Sequence, residues 1–191
     1  MVVVPADPDQ PVLEPIPDAS DLLRGHLVLG AALGAKWPFG SLNDTSTQRS
    51  VLGPGLALNL DLGIGVGRNL LLGAWGEFDS FSAPPRCSVC SAKSFAGGPL
   101  LRYHPVQGAR FDPWGVLAMG ARQTDVDNGS GKTHRYSGIE FLRLVLGTDW
   151  YASSKFALGP YVELNFGTYS DGTIHTDLGT GLRFTLDFQG K

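Results

Sequence analysis

Three short stretches of the chain carry residue types that could do chemistry. In "THRYSGIE", His134, Ser137 and Glu140 bring a base, a hydroxyl and an acid together, the set that activates a serine for acyl transfer or hydrolysis. On a strand, positions three apart point to opposite faces, so His134 and Ser137 meet only where the chain bends. Ordinary loop polarity is the favoured reading. "DVDNGSGK", residues 125–132, opens like a calcium loop, but Gly129 stands where a fifth-position oxygen ligand belongs and no Glu falls at the twelfth position. A flexible turn-rich loop is expected there, and no metal. Cys87 and Cys90 in "PPRCSVCSAKS" form a single CxxC, too few for a four-cysteine zinc site and without the βαβ setting of a thioredoxin motif. A loop disulfide in an oxidising compartment fits them better. His104 and His175 are lone histidines with no ligand partner in register.

The remaining charges are sparse and of both signs. Charged residues make up 17% of the 191, against roughly 25% in ordinary soluble domains. The net charge is −3 with no basic patch, so no nucleic-acid partner is expected, and no glycine-rich phosphate loop opens a helix. The chain reads as one domain, and no apolar run approaches the ~18 residues of a membrane helix.

The elements that must position these residues read as strands. In "GLALNLDLGIGVG", residues 55–67, Leu56, Leu58, Leu60, Leu62, Ile64 and Val66 alternate with Ala57, Asn59, Asp61 and three glycines. Side chains alternate across a pleat, so this strand has an apolar face and a second face of small residues and rare charges. The pattern recurs eight times between about residues 25 and 188. Longer polar connections at 43–54, 82–94, 125–137 and 169–174 alternate with shorter ones at 67–69, 105–113 and 151–155. Residues 1–23, rich in Pro and Asp, read as an extended tail or linker, 24–188 as the barrel, and 189–191 as a C-terminal extension.

A soluble barrel turns its apolar face inward and carries dense charge outside. Here the second face suits the cramped interior of a small barrel, which leaves the leucine face to lipid. The expected fold is an all-β, eight-stranded, antiparallel up-and-down transmembrane barrel. Its interior would hold Lys36, Asp61, Glu77, Asp79, Arg102, His104, Arg122, Arg143, Asp149, Glu163, Arg183 and Asp187. Isolated buried charge is costly, so these should pair across strands as a structural network. The sharpest expectation is a trio in which Glu163 meets both Arg143 and Arg183. Aromatics near strand ends, Trp37, Phe39, Phe78, Phe81, Phe95, Tyr103, Trp114, Trp150, Tyr151, Phe156 and Phe188, are expected as interfacial girdles.

Residues 25–188 resemble the small eight-stranded outer-membrane barrels of the OmpA, OmpX and OmpW kind. The specific part is the final strand, "GLRFTLDF", which resembles the signal read by the barrel assembly machinery, with Phe184, Leu186 and the terminal aromatic Phe188 carrying it. The resemblance implies a bacterial outer-membrane location, contact with outer-membrane lipids and other envelope proteins as partners. It also implies interior ion pairs of a structural kind. Some enzymes on this fold modify lipid A with His, Ser and an acid near the outer leaflet, but the spacing of His134 and Ser137 departs from the deacylase pattern, in which the two are two apart. The expected function is therefore a non-enzymatic membrane anchor or structural component, without cofactors, whose outer loops or tail bind a partner. A narrow channel for ions or small solutes is the alternative, and a lipid A-modifying enzyme the less favoured one.

Overall fold

A computed structural model describes residues 23–43, 46–47, 52–82, 91–106, 109–127 and 133–188. Its strands are β1 (Leu27–Asn43), β2 (Ser46–Thr47), β3 (Gly55–Gly65), β4 (Leu70–Phe81), β5 (Ser91–Tyr103), β6 (Phe111–Asp127), β7 (Thr133–Ser153), β8 (Phe156–Tyr169) and β9 (Ile174–Phe188). Each long strand pairs antiparallel with the next, and β1 pairs with β9 from Leu27–Phe188 to Gly40–His175. The result is a closed barrel of eight long strands, with the two-residue β2 folded back on the end of β1. Closure leaves no open edge around the ring of eight long strands, so along it each strand has a partner on both sides.

The barrel is apolar outside and charged inside. Leu33 and Leu60 are 59% and 53% exposed, whereas Lys36 is 0% exposed. No folded state in water would present its leucines outward while burying lysine; a wall of this kind faces lipid. Glycines on the inner face leave room for larger neighbours: a Cβ at Gly63 would strike the Leu71 side chain, one at Gly147 the Trp114 ring, and one at Gly30 the Arg183–Asp61 pair.

Several strands run further than the hydrophobic alternation indicated. Ser91–Ser94, Asp125–Asp127 and Thr133–Ser137 are strand, although these polar stretches read as loop. They pair in register, Ser94 with Thr124 and Gln123 with Ser137. Rungs with polar residues on both faces carry no apolar period and so escape a pattern based on hydropathy. The girdle also needs correction. Tyr103, Trp150, Phe156 and Phe188 do face outward, but Phe81, Trp114 and Tyr151 point into the barrel and are buried. Cys87 and Cys90, the tail up to residue 22 and residues 189–191 lie outside the described residues.

A β-bulge in β7 matters for the interior. Register shifts at Ala118/Gly120 on β6 and Glu140/Leu142 on β7 place an extra residue near Phe141. Glu140 and Arg143, three apart, therefore both point inward, at 0% and 5% exposure.

Candidate functional site: the charged lumen

The inner face divides into layers. At the end where the chain enters, His26 Nδ1 lies 2.9 Å from Asp187 Oδ1, and His104 Nδ1 lies 2.7 Å from Asp112 Oδ2. Above them is a balanced cluster of two arginines and two carboxylates. Arg183 Nη2 donates to Asp61 Oδ1 at 2.9 Å and its Nη1 to Asp149 Oδ2 at 3.1 Å. Arg102 Nη2 donates to Asp61 Oδ1 at 2.8 Å. Both guanidinium groups also sit about 5 Å from the Trp114 ring centroid, at 5.0 and 5.1 Å. Such stacking keeps the arginine planes against a large apolar surface.

An apolar layer follows, including Leu100, Trp75, Trp114, Val116, Val145 and Tyr161. Above it lies the larger ionic cluster. Arg143 donates to Glu77 Oε2 at 2.6 Å, to Asn59 Oδ1 at 2.6 Å and to Glu163 Oε2 at 2.5 Å, while its guanidinium carbon stands 4.3 Å from the Trp75 ring. Arg122 donates to Glu140 at 2.8 Å, to Glu77 at 2.9 Å and to Asp79 at 2.9 Å. Lys36 bonds Glu77 and stands 3.2 Å from Glu163 Oε1. A second apolar layer, Leu52, Phe81, Ala92, Val126 and Tyr169, closes this chamber at the loop end.

The structure thus brings Glu163 and Arg143 together and sends Arg183 elsewhere. The register explains the difference. Glu163 stands opposite Gly179, whereas Arg183 stands opposite Gly159, four residues further along and so about 13 Å away. Arg183 meets Asp61 and Asp149 instead. Lys36, Glu77, Asp79, Arg102, His104, Arg122, Arg143, Asp149, Glu163, Arg183 and Asp187 are buried on the inner face, and Asp61 lies among them with its side chain 12% exposed.

Sequence reading missed Glu140 and Asp177 as members of the network, with Asn59 and Asn165 as polar companions. Asp177 was visible on the polar face of its strand. Glu140 was hidden by the bulge, which breaks the period just where it enters. The serine-based constellation does not assemble. Ser137 faces outward on a continuous β7, while Glu140 is fully buried and bound to Arg122. The carboxylate of Asp125, first residue of the calcium-like stretch, is engaged by Arg135 Nε at 2.8 Å. Phe184, Leu186 and Phe188 line the outer face at the end of β9.

No protein-family model matches the chain, and no curated protein matches it in sequence. Solved structures do match. The chain is similar to Neisserial surface protein A, with 15% identity, coverage of 86% of this chain and 97% of that one, and a TM-score of 0.61. It is similar to the outer membrane protein OprG from Pseudomonas aeruginosa, with 13% identity, coverage of 88% and 98%, and a TM-score of 0.58. It is also similar to Ail, the attachment invasion locus protein of Yersinia pestis, with 12% identity, coverage of 85% and 99%, and a TM-score of 0.51. At such identities the likeness is one of architecture: the chain has the fold of the small eight-stranded barrels of the bacterial outer membrane.

Proposed function

We propose that the protein is a non-enzymatic integral protein of the bacterial outer membrane, a membrane anchor or structural component whose outer loops or N-terminal tail meet another envelope component. The filled lumen carries this reading. Two ionic clusters and two apolar layers occupy the interior, and the cavity beside Trp75, Trp114 and Arg183 measures about 40 Å³, room for a water or two. The separation of Ser137 from Glu140 supports the absence of a serine-based reaction. The outward end of β9 supports a role for Phe184, Leu186 and Phe188 in recognition by the barrel assembly machinery. Replacing Phe188 with Ala should then lower the folded yield in the membrane.

The test is conductance of the purified protein in planar bilayers at neutral pH, together with cross-linking in native membranes. The anchor reading expects a closed barrel and a defined cross-linked product. Steady single-channel current would replace it with the narrow-channel reading, which draws its support from the unpaired buried atoms Arg102 Nη1, Asn165 Oδ1 and Glu140 Oε1 along the lumen. On that reading Glu163→Gln raises the current, because it weakens the pair that plugs the path.

A further inference from the structure

The upper chamber does not balance its charge. Among the described residues it holds three cations, Lys36, Arg122 and Arg143, and five carboxylates, Glu77, Asp79, Glu140, Glu163 and Asp177. All eight side chains are at most 5% exposed, and apolar layers close the chamber on both sides. Two uncompensated negative charges in such a space would carry a desolvation cost that no contact offsets.

The geometry shows which two carboxylates are in excess. Glu77 is held by all three cations. Glu163 is held by Arg143 and Lys36, and Glu140 by Arg122 at 2.7 Å. Asp79 shares Arg122 with Glu77 and Glu140, stands 3.5 Å from Lys36, and leaves its Oδ1 without a hydrogen bond. Asp177 reaches Arg122 only at 3.6 Å. We propose that Asp79 and Asp177 each hold a proton at neutral pH, so that the lumen is a proton-binding plug that loosens when alkali removes them.

The surroundings agree from every side. Lys36 faces these two groups from β1, Glu77 from β4, Arg122 from β6, Glu140 and Arg143 from β7, Glu163 from β8 and His175 from β9. At this level β3 contributes Ala57 and Asn59, and β5 contributes Ala92, Ser94 and Ala96, none of them titratable. His175 supplies no balancing charge: neither ring nitrogen has a hydrogen-bond partner, and its ring packs 4.7 Å from that of Tyr169. A proton needs no cavity, since it bonds to a carboxylate oxygen already present, and Asp79 Oδ1 makes no hydrogen bond.

The sign of the response follows. The closed form binds two protons that an opened, hydrated form releases, so closure is weakened as pH rises. Once the open form has released both, the closed-to-open ratio falls by up to about 100-fold per pH unit. Infrared spectroscopy of the folded protein in deuterated buffer reads the protons directly. The carbonyl stretch of a protonated carboxyl is expected at neutral pH and reduced in both Asp79→Asn and Asp177→Asn. Bilayer current is expected to appear in alkaline buffer and to need a higher pH in the double variant, which keeps the shape and removes the titration. Absence of a protonated carboxyl band at neutral pH would overturn the proposal. So would a double variant that opens at the wild-type pH. Opening governed by sodium or potassium concentration instead of pH would overturn it too, and assign the balance to a bound cation. A wild type that conducts at neutral pH would defeat the anchor reading, while the infrared result would still decide this one.

Discussion

Arg143 ties the lumen together at the residue scale. It joins Glu77 on β4, Asn59 on β3 and Glu163 on β8, and lies against Trp75. Removing one member of a buried pair leaves the partner charge uncompensated, which costs far more than the pair contributes when intact. Arg143→Met should therefore destabilise the barrel by about 3–5 kcal/mol, read as a lower urea midpoint for unfolding from lipid vesicles. An unchanged midpoint would mean that Glu77 and Glu163 are not held as charges. Most lumen residues were legible from alternation alone, because a polar residue keeps its parity along a regular strand; Glu140, beside the bulge, was not. Their partners were not. Long side chains reach diagonally, and which diagonal they take depends on how far each strand is staggered around the barrel.

Single strands and turns follow from local rules. Leu60 sits mid-strand in β3 and faces outward. Leu60→Arg should cost about 2–4 kcal/mol in lipid, and an equivalent change at Phe188, at the end of β9, about 1 kcal/mol or less. Equal effects at the two positions would sink the membrane depth assigned to the outer face. The β8–β9 turn is held by Asp171, whose carboxylate accepts from the Thr173 hydroxyl at 2.7 Å and from the Thr173 backbone N–H at 3.0 Å. The hydroxyl bond first, then the backbone one, keeps this carboxyl below its usual range. The turn's contribution is thus complete above roughly pH 3.9, the ordinary value for an aspartate, and is lost as pH falls through the lower value of the folded state. Hydrogen exchange at the Thr173 amide should accelerate on acidification, relative to its intrinsic rate, and Asp171→Ala should remove that dependence. Gly172, with φ of 86°, completes the turn in a conformation other residues rarely adopt.

For the whole molecule, closure between β1 and β9 is the decisive contact. A barrel without an edge offers detergent no place to start unravelling, so the protein should migrate faster unboiled than boiled in SDS. Identical mobility, with the protein soluble without detergent, would contradict a lipid-facing wall. The same closure explains how the chain tolerates so many interior charges. Side chains of the upper chamber are shielded from lipid by the wall and from bulk water by the apolar layers around Trp114 and Phe81, so they answer to one another.

The sequence by itself determined the fold class and, along regular strands, the face on which a charge lies, because a period of two is a local property that survives any stagger. It marked Lys36, Glu77, Arg122, Arg143 and Glu163 as interior without a single known contact. Only the tertiary structure decided that Arg183 binds Asp61 and Asp149, that a bulge turns Glu140 inward beside Arg143, and that Phe81 and Trp114 are internal layers and not girdle. The physical reason is one of range. Alternation is written between neighbours in the chain, whereas stagger, bulges and charge balance are fixed only when strands distant in sequence close into one ring.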